Sequence, residues 1–193
     1  MKHFLKTASA AAVLLASFSA SAADIKPSVV FDMGGKFDKS FNEGVYNGVE
    51  KFKKETGIKY REFEVTNEAQ REQAIRRMAK RGSDIVLGIG FAQSDAVKKV
   101  AGEYPNGQFA IIDGFVIAPN VNAILFKEHE GSFLVGMIAA MKSKTGTVGF
   151  VGGMDIPLIR RFGCGYLQGA KHANSSVKVI QNMTGTTPSA WND

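Results

Sequence analysis

The sequence predicts an α/β protein built on a doubly wound parallel sheet. Short β-branched runs alternate along the chain with longer helical patterns, and turn residues separate them. Several of the apolar runs end directly in an aspartate or a glycine, which is typical of strands whose carboxyl ends form a binding edge. Composition agrees with this class, because 45% of the 193 residues are hydrophobic and 22% are charged, as in globular proteins with a buried core.

The first 23 residues predict a secretory signal peptide. Lys2 and Lys6 accompany an apolar run, and the small residues Ala20, Ser21 and Ala22 follow as a cleavage site. No cysteine lies near this site to take a lipid. We therefore expect a periplasmic protein without a lipid anchor.

The first part of the mature chain predicts five strands and three helices. The first helix begins after Ser40, which forms a capping-box pattern with Glu43, and ends before Gly57, which suits a left-handed cap. The other helices follow amphipathic patterns, and the strands follow β-branched runs bounded by turn residues. The expected strands are 28–33, 59–65, 84–90, 109–113 and 122–126, and the expected helices are 41–56, 67–81 and 94–103.

Two further helices and two further strands are expected in the rest of the chain. A helix over 128–141 should bury Phe133, Met137, Ile138 and Met141. The segment 147–154 should begin as a strand and run into a glycine loop at Gly152 and Gly153, and a helix over 156–173 and a last strand over 177–183 follow. The alternation thus continues to the end of the chain.

The expected strand ends predict a ligand site. Asp32, Gly90, Asp113 and the pair Gly152–Gly153 each follow an apolar run or close it, and the carboxyl ends of parallel strands lie along one edge of a sheet. These residues should therefore cluster there.

Residue types needed for other functions are scarce. The glycine segments lack the spacing of a phosphate-binding loop, and the three histidines and single cysteine form neither a nucleophile arrangement nor a metal pattern. Asp32 and Asp113 could serve as an acid and base pair, but hydrogen bonding to a ligand or capping a turn is at least as good an interpretation. We therefore expect no enzyme, catalytic residue, cofactor or metal, and we expect Cys164 to be buried.

The basic residues do not form a nucleic-acid surface. They are scattered over the expected solvent faces of helices. Arg71, for example, is expected to be solvated, and no nucleic-acid partner is predicted.

The residues fit a pocket for a flat ring with a polar rim. Phe41 would begin the first helix beside Asp32, where it either packs in the core or stacks on a ligand ring. A carboxylate such as Asp113 could accept hydrogen bonds from two hydroxyls. Such a site suits a base joined to a sugar.

The sequence resembles the basic membrane protein family of periplasmic substrate-binding proteins for ABC transporters, the family of the purine nucleoside receptors. The resemblance rests on DMGGKFDKSFNEGVYNG, GIGFAQSDAV, FAIIDG, the long segment from EGSFLVGM to GAKHAN, and GTTPSAWND. It implies a periplasmic-binding-protein fold of two doubly wound lobes, with a nucleoside held in the cleft between them. The first lobe would span 24–123, and 124–193 would open a second lobe that is incomplete in this chain.

The resemblance also implies roles for single residues. Asp32 is similar to a carboxylate that helps hold the ligand, Phe41 to an aromatic that stacks on the base, and Asp113 to an acid that binds ribose hydroxyls. Trp191 stands at the position of the aromatic on the opposite face. Members often have asparagine where Met33 stands, which leaves the identity of the ligand open.

The resemblance implies delivery of the ligand to a permease in the inner membrane, by a protein that is monomeric in its full-length form. A second hypothesis is a sensor that signals the binding of a nucleoside or another flat heterocycle to a receptor partner. Phe162 and Arg160 are weaker candidates for the same cleft.

Overall fold

Two parallel sheets organise the computed structural model, which describes residues 25–191. The first sheet has five strands, namely β1 (Pro27–Phe31), β2 (Arg61–Glu64), β3 (Ile85–Ile89), β4 (Gln108–Ile112) and β5 (Val121–Ile124). Their order across the sheet is β2-β1-β3-β4-β5, and all neighbours are parallel. The second sheet pairs β6 (Thr147–Met154) with β7 (Lys178–Gly185), again in parallel. The predicted signal peptide lies outside the described residues.

Five α-helices connect the strands, as the sequence predicts. They are α1 (Phe41–Thr56), α2 (Gln70–Lys80), α3 (Ser94–Glu103), α4 (Glu128–Lys142) and α5 (Pro157–Ala173). The second begins three residues later than expected, because the N–H groups of Gln70 and Arg71 donate to Asn67 and Glu68 in a preceding turn. Gly57 ends α1 in the left-handed conformation, as expected.

Helices cover both faces of the first sheet, so the doubly wound prediction is confirmed. On one face, Val30 and Phe109 pack with Ile75 of α2 and Val97 of α3. The other face is covered by α1. There the buried strand residues Val29, Phe31 and Ile89 contact the partly buried Val45 and Val49. These contacts place α1 over β1 and β3 in the middle of the sheet.

The N-terminus of α1 is capped by Asp38, and the predicted capping box at Ser40 is wrong. Ser40 makes no capping hydrogen bond through its side chain. Asp38 Oδ1 accepts from the N–H groups of Ser40 and Glu43, and its Oδ2 accepts from the N–H of Asn42. One carboxylate therefore satisfies several of the N–H groups that a first turn leaves unpaired. Burial alone would raise the pKa of Asp38, but these N–H groups outweigh it and hold the pKa below its ordinary value.

The helices α4 and α5 approach each other through glycines. A Cβ atom on Gly169 would lie 1.8 Å from the carbonyl oxygen of Phe133, and one on Gly136 would lie 2.1 Å from that of Tyr166. Only glycine permits this backbone contact. The face of α4 that carries small residues packs against α5, so Ile138 and Met141 on the other side are 58% and 66% exposed. The prediction that these two residues are buried is wrong.

Two smaller expectations are also wrong. Gly152 and Gly153 lie within β6, which continues to Met154 where a loop was expected. Cys164 is exposed on α5, because the buried face of that helix is formed by neighbours such as Gly165 and Tyr166.

Candidate functional site

A cavity of about 620 Å³ lies where the carboxyl ends of the first sheet face the second sheet. Asp32, Gly90 and Asp113 follow β1, β3 and β4, and all three line the cavity. Gly152 of β6 lines it from the second sheet. The predicted clustering at one sheet edge is therefore observed for Asp32, Gly90 and Asp113, whereas Gly152 lies within the second sheet and faces them across the cavity.

The cavity brings together all four residues predicted to bind a ligand. Asp32, Phe41 and Asp113 line it from the first sheet and its connections, and Trp191 lines it from the turn after β7. Their contact with a ligand stays a prediction. Of the weaker candidates, Phe162 lines the cavity, whereas Arg160 is exposed and pairs with Asp155.

Asp32 is held on three sides. Its backbone N–H donates to the buried side chain of Asn42 over 3.1 Å. Arg71 donates to Asp32 Oδ1 from Nε over 3.3 Å and from Nη2 over 3.2 Å. A Cβ atom on Gly90 would lie 3.0 Å from Asp32 Oδ2, so the carboxylate also packs against the Gly90 backbone. The carboxylate has a fixed orientation at the rim of the cavity.

Arg71 is buried, and its predicted solvent exposure is wrong. Only 7% of the residue is accessible, since the first turn of α2 points its guanidinium at the end of β1. A basic residue in an amphipathic helix is usually solvated, so the sequence offered no signal for this ion pair.

Asp113 occupies an unusual backbone conformation. Its φ angle is 62°, in the left-handed region that aspartate tolerates better than most residues, and its N–H donates to the carbonyl oxygen of Ile124 over 2.8 Å. Burial raises the pKa of its carboxyl. The charge of Glu128 adds to the rise, and the Arg161 guanidinium opposes it. Arg161 itself pairs with the buried Glu128, with Nε and Oε1 2.6 Å apart.

Aromatic rings occupy both sides of the cavity. Phe41 is 37% exposed and lines the cavity. Of its two expected positions, the core is therefore excluded and the cavity is observed. Trp191 is 48% exposed and packs edge to face with Phe91, whose ring centroid is 6.2 Å away. The sequence did not single out Phe91, although it follows a predicted strand directly. Exposed aromatic faces in a cavity can stack on flat ligands.

The described residues show no site for a metal ion and no membrane span. Among residues 25–191, no three histidine, cysteine, aspartate or glutamate side chains are placed to share an ion. None of the helices described there combines the length and apolar character needed to cross a bilayer.

Comparisons with known proteins agree with the observed fold. The Bmp family, described as ABC transporter substrate-binding protein PnrA-like, matches residues 25–190. The ABC transporter nucleoside-binding protein BmpA of Lactococcus lactis subsp. cremoris is 32% identical over 168 residues, which are 84% of this chain and 48% of that protein. A solute-binding protein of an ABC transporter system from Aeropyrum pernix K1 has a TM-score of 0.75 and 32% identity, and the match covers 86% of this chain and 50% of that one.

The comparisons correct the predicted absence of a lipid anchor. A relative from Pyrococcus horikoshii, 37% identical over 172 residues that cover 84% of this chain and 42% of that protein, is named an uncharacterized lipoprotein. A relative from Pyrococcus furiosus has the same description. The prediction of a protein without a lipid anchor is therefore wrong, because two relatives that are 37% and 38% identical to this chain are named lipoproteins.

The comparisons also fix the extent of the match and the fold type. The chain spans about half the length of the curated relatives it matches. Its two parallel sheets with a cavity between them are those of the periplasmic-binding-protein fold. By sequence and structure, the chain belongs to the Bmp family of PnrA-like substrate-binding proteins of ABC transporters.

Proposed function

We propose that this protein binds a nucleoside, with a purine favoured, in the cavity between its two sheets and delivers it to the membrane permease of an ABC transporter. The observation that carries the proposal is the shared cavity, which places carboxylates and exposed aromatic rings on the same space. Its volume of about 620 Å³ lies within the range of about 300–1,000 Å³ that is usual for small-molecule sites. The name of the Lactococcus relative, a nucleoside-binding protein, supports the ligand class.

The heterocyclic base would stack between Phe41 and Trp191. Both side chains are partly exposed at the cavity, and stacking adds about 0.5–1.5 kcal/mol for each aromatic pair beyond the burial of apolar surface. Asp32 would accept a hydrogen bond from a polar group of the ligand. This arrangement favours a flat ring with polar edges.

Asp113 would bind the ribose. An ionised carboxylate can accept hydrogen bonds from two neighbouring hydroxyls, each contributing about 1.5–3 kcal/mol. Asp113 lines the cavity at the end of β4, on the same strand-end edge as Asp32. A ligand with a base and a ribose would therefore contact the carboxyl ends of both β1 and β4.

Ligand binding would draw the two sheets together. In this proposal, the first lobe spans 24–123 and the second 124–193, although β5 keeps Ile124 paired with the first sheet. A ligand that contacts both lobes favours the closed arrangement by its higher affinity for that state. The closed form would then be recognised by the permease.

Calorimetric titration of a ligand panel tests the proposal. Guanosine, adenosine, inosine, cytidine and riboflavin would each be titrated into the protein purified from its complete gene. We expect the purine nucleosides to bind more tightly than cytidine and riboflavin. Absence of binding by every nucleoside to a folded protein would overturn the proposal.

A further inference from the structure

In the ion pair between Arg71 and Asp32, the two oxygens of the Asp32 carboxylate differ in their hydrogen bonding. Both hydrogen bonds from Arg71, from Nε and from Nη2, go to Oδ1. Among residues 25–191, Oδ2 accepts no hydrogen bond from the protein. It lies against Gly90, and Asp32, Arg71 and Gly90 all line the cavity. Oδ2 is therefore the oxygen available to a ligand.

The pair is not explained by stability alone. The Arg71 side chain is 9% exposed and the Asp32 side chain 19%, and bringing two charges out of water costs free energy that their attraction often fails to return. Glu68 adds only a longer contact to Arg71, 3.8 Å from Nη1. A buried pair of this kind beside a cavity is better explained by what it does for the site.

We propose that Arg71 is a positioning residue for ligand binding, which anchors Asp32 through Oδ1 so that Oδ2 is presented to a polar N–H or O–H group of the ligand. Two N–H donors on adjacent nitrogens hold Oδ1 in the plane of the guanidinium. The bond from the Asp32 N–H to Asn42 and the contact of Oδ2 with Gly90 limit the rotation of the carboxylate about that oxygen. Its positive charge also compensates the charge of Asp32, so the ligand group that contacts Oδ2 is a neutral donor. This inference rests on the proposed function for its choice of ligand.

A double-mutant cycle tests whether Arg71 acts through Asp32. The variants are Arg71→Met, Asp32→Asn and the combination, and the probes are guanosine, adenosine and inosine in calorimetric titrations. Arg71→Met should weaken binding by about tenfold or more, as expected for loss of a charge-assisted contact. In the Asp32→Asn background the same substitution should change affinity by less than about twofold, because the residue it positions is already altered.

The matched control is Arg77→Met. Arg77 lies on the same helix, is exposed and has the same side chain, so its substitution should leave affinity unchanged. Arg71→Lys keeps the positive charge but loses the planar guanidinium with its two adjacent N–H donors, so it should recover only part of the affinity. Circular dichroism of each variant would establish that the fold is retained.

The possible outcomes separate this inference from the proposed function. An equal loss of affinity from Arg71→Met with and without Asp32→Asn would overturn the positioning role. If no nucleoside binds the wild-type protein, the proposed function fails, and the NMR signal of the Arg71 Nε–H group decides the inference. A signal that Asp32→Asn leaves unchanged would overturn it. If the Arg71 Nε–H group exchanges with solvent faster in Asp32→Asn than in the wild-type protein, Arg71 does anchor Asp32. The anchored carboxylate would then serve a ligand of another class.

Discussion

Phe91 and Trp191 meet edge to face at the rim of the cavity, with ring centroids 6.2 Å apart and planes inclined by 62°. Phe91 begins the turn after β3, in the first sheet, and Trp191 ends the turn after β7, in the second. The Trp191 ring packs on the second sheet, because a Cβ atom on Gly153 would lie 2.7 Å from it. This aromatic contact therefore joins the two sheets beside the space where a ligand would bind.

The fluorescence of Trp191 should report ligand binding. Trp191 is the single tryptophan of the sequence, and its half-exposed ring lines the cavity. Stacking of a purine base on the indole should quench its emission in proportion to occupancy. Fluorescence titration with inosine measures this, and ribose alone, which lacks a base, is the control. Inosine binding detected by calorimetry with unchanged emission would contradict the stacking role.

Affinity for a nucleoside should fall as the pH is lowered through the raised pKa of Asp113. Burial and the charge of Glu128 raise the pKa of Asp113 above its ordinary value, so this carboxyl takes up a proton at a higher pH than an exposed aspartate. The protonated form accepts hydrogen bonds from ribose hydroxyls less well. Calorimetry of inosine binding at decreasing pH should show affinity lost as the pH falls through this raised pKa. Asp113→Asn should bind weakly at every pH, and a wild-type affinity that stays constant would contradict the role of Asp113.

Removal of the Asp38 cap should destabilise the protein. Asp38→Ala should lower the free energy of unfolding by about 0.5–2 kcal/mol, the usual cost of losing a helix cap. Since its pKa is lowered in the folded state, this stabilisation is present above the ordinary aspartate pKa and is lost as the pH falls through the lowered one. Urea denaturation at pH 7 measures the effect. Ser40→Ala is the control and should change stability by less than about 0.5 kcal/mol.

Glycine at position 169 should be required for the packing of α4 on α5. Gly169→Ala places a methyl group within 1.8 Å of the Phe133 carbonyl oxygen, and overpacking of this kind costs about 1–3 kcal/mol. Gly131→Ala on α4 is the control, because no atom lies within 4 Å of its Cβ position. It should stabilise the helix by up to about 1 kcal/mol. Thermal unfolding of both variants compares them, and equal stability would contradict the close contact.

The sequence was sufficient to predict the order of strands and helices and the edge at which the site lies. Apolar runs that end in Asp32 and Asp113 identify strand ends, and parallel topology brings such ends together. Contacts between elements distant in sequence were not predictable in this way. Arg71 reaches Asp32 across 39 positions of the chain, and nothing in the pattern of its own helix marks it as buried.

Two local errors have related causes. At the start of α1, Ser40 and Asp38 are both capping residue types, and backbone geometry outside the helix decided which of them reaches the N–H groups. On α4, the large residues Ile138 and Met141 suggested the buried face. Because α5 lies close to α4, the small residues on the opposite face of α4 are buried instead.

One ligand should be held by both sheets, and inosine titration of two variants is the decisive measurement. Asp113→Ala alters the first sheet's side of the cavity, and Trp191→Ala alters the second sheet's side. The wild-type protein should bind inosine, and both variants should lose at least about tenfold in affinity while remaining folded. Wild-type affinity in either variant would show that the ligand is bound without a contribution from that sheet.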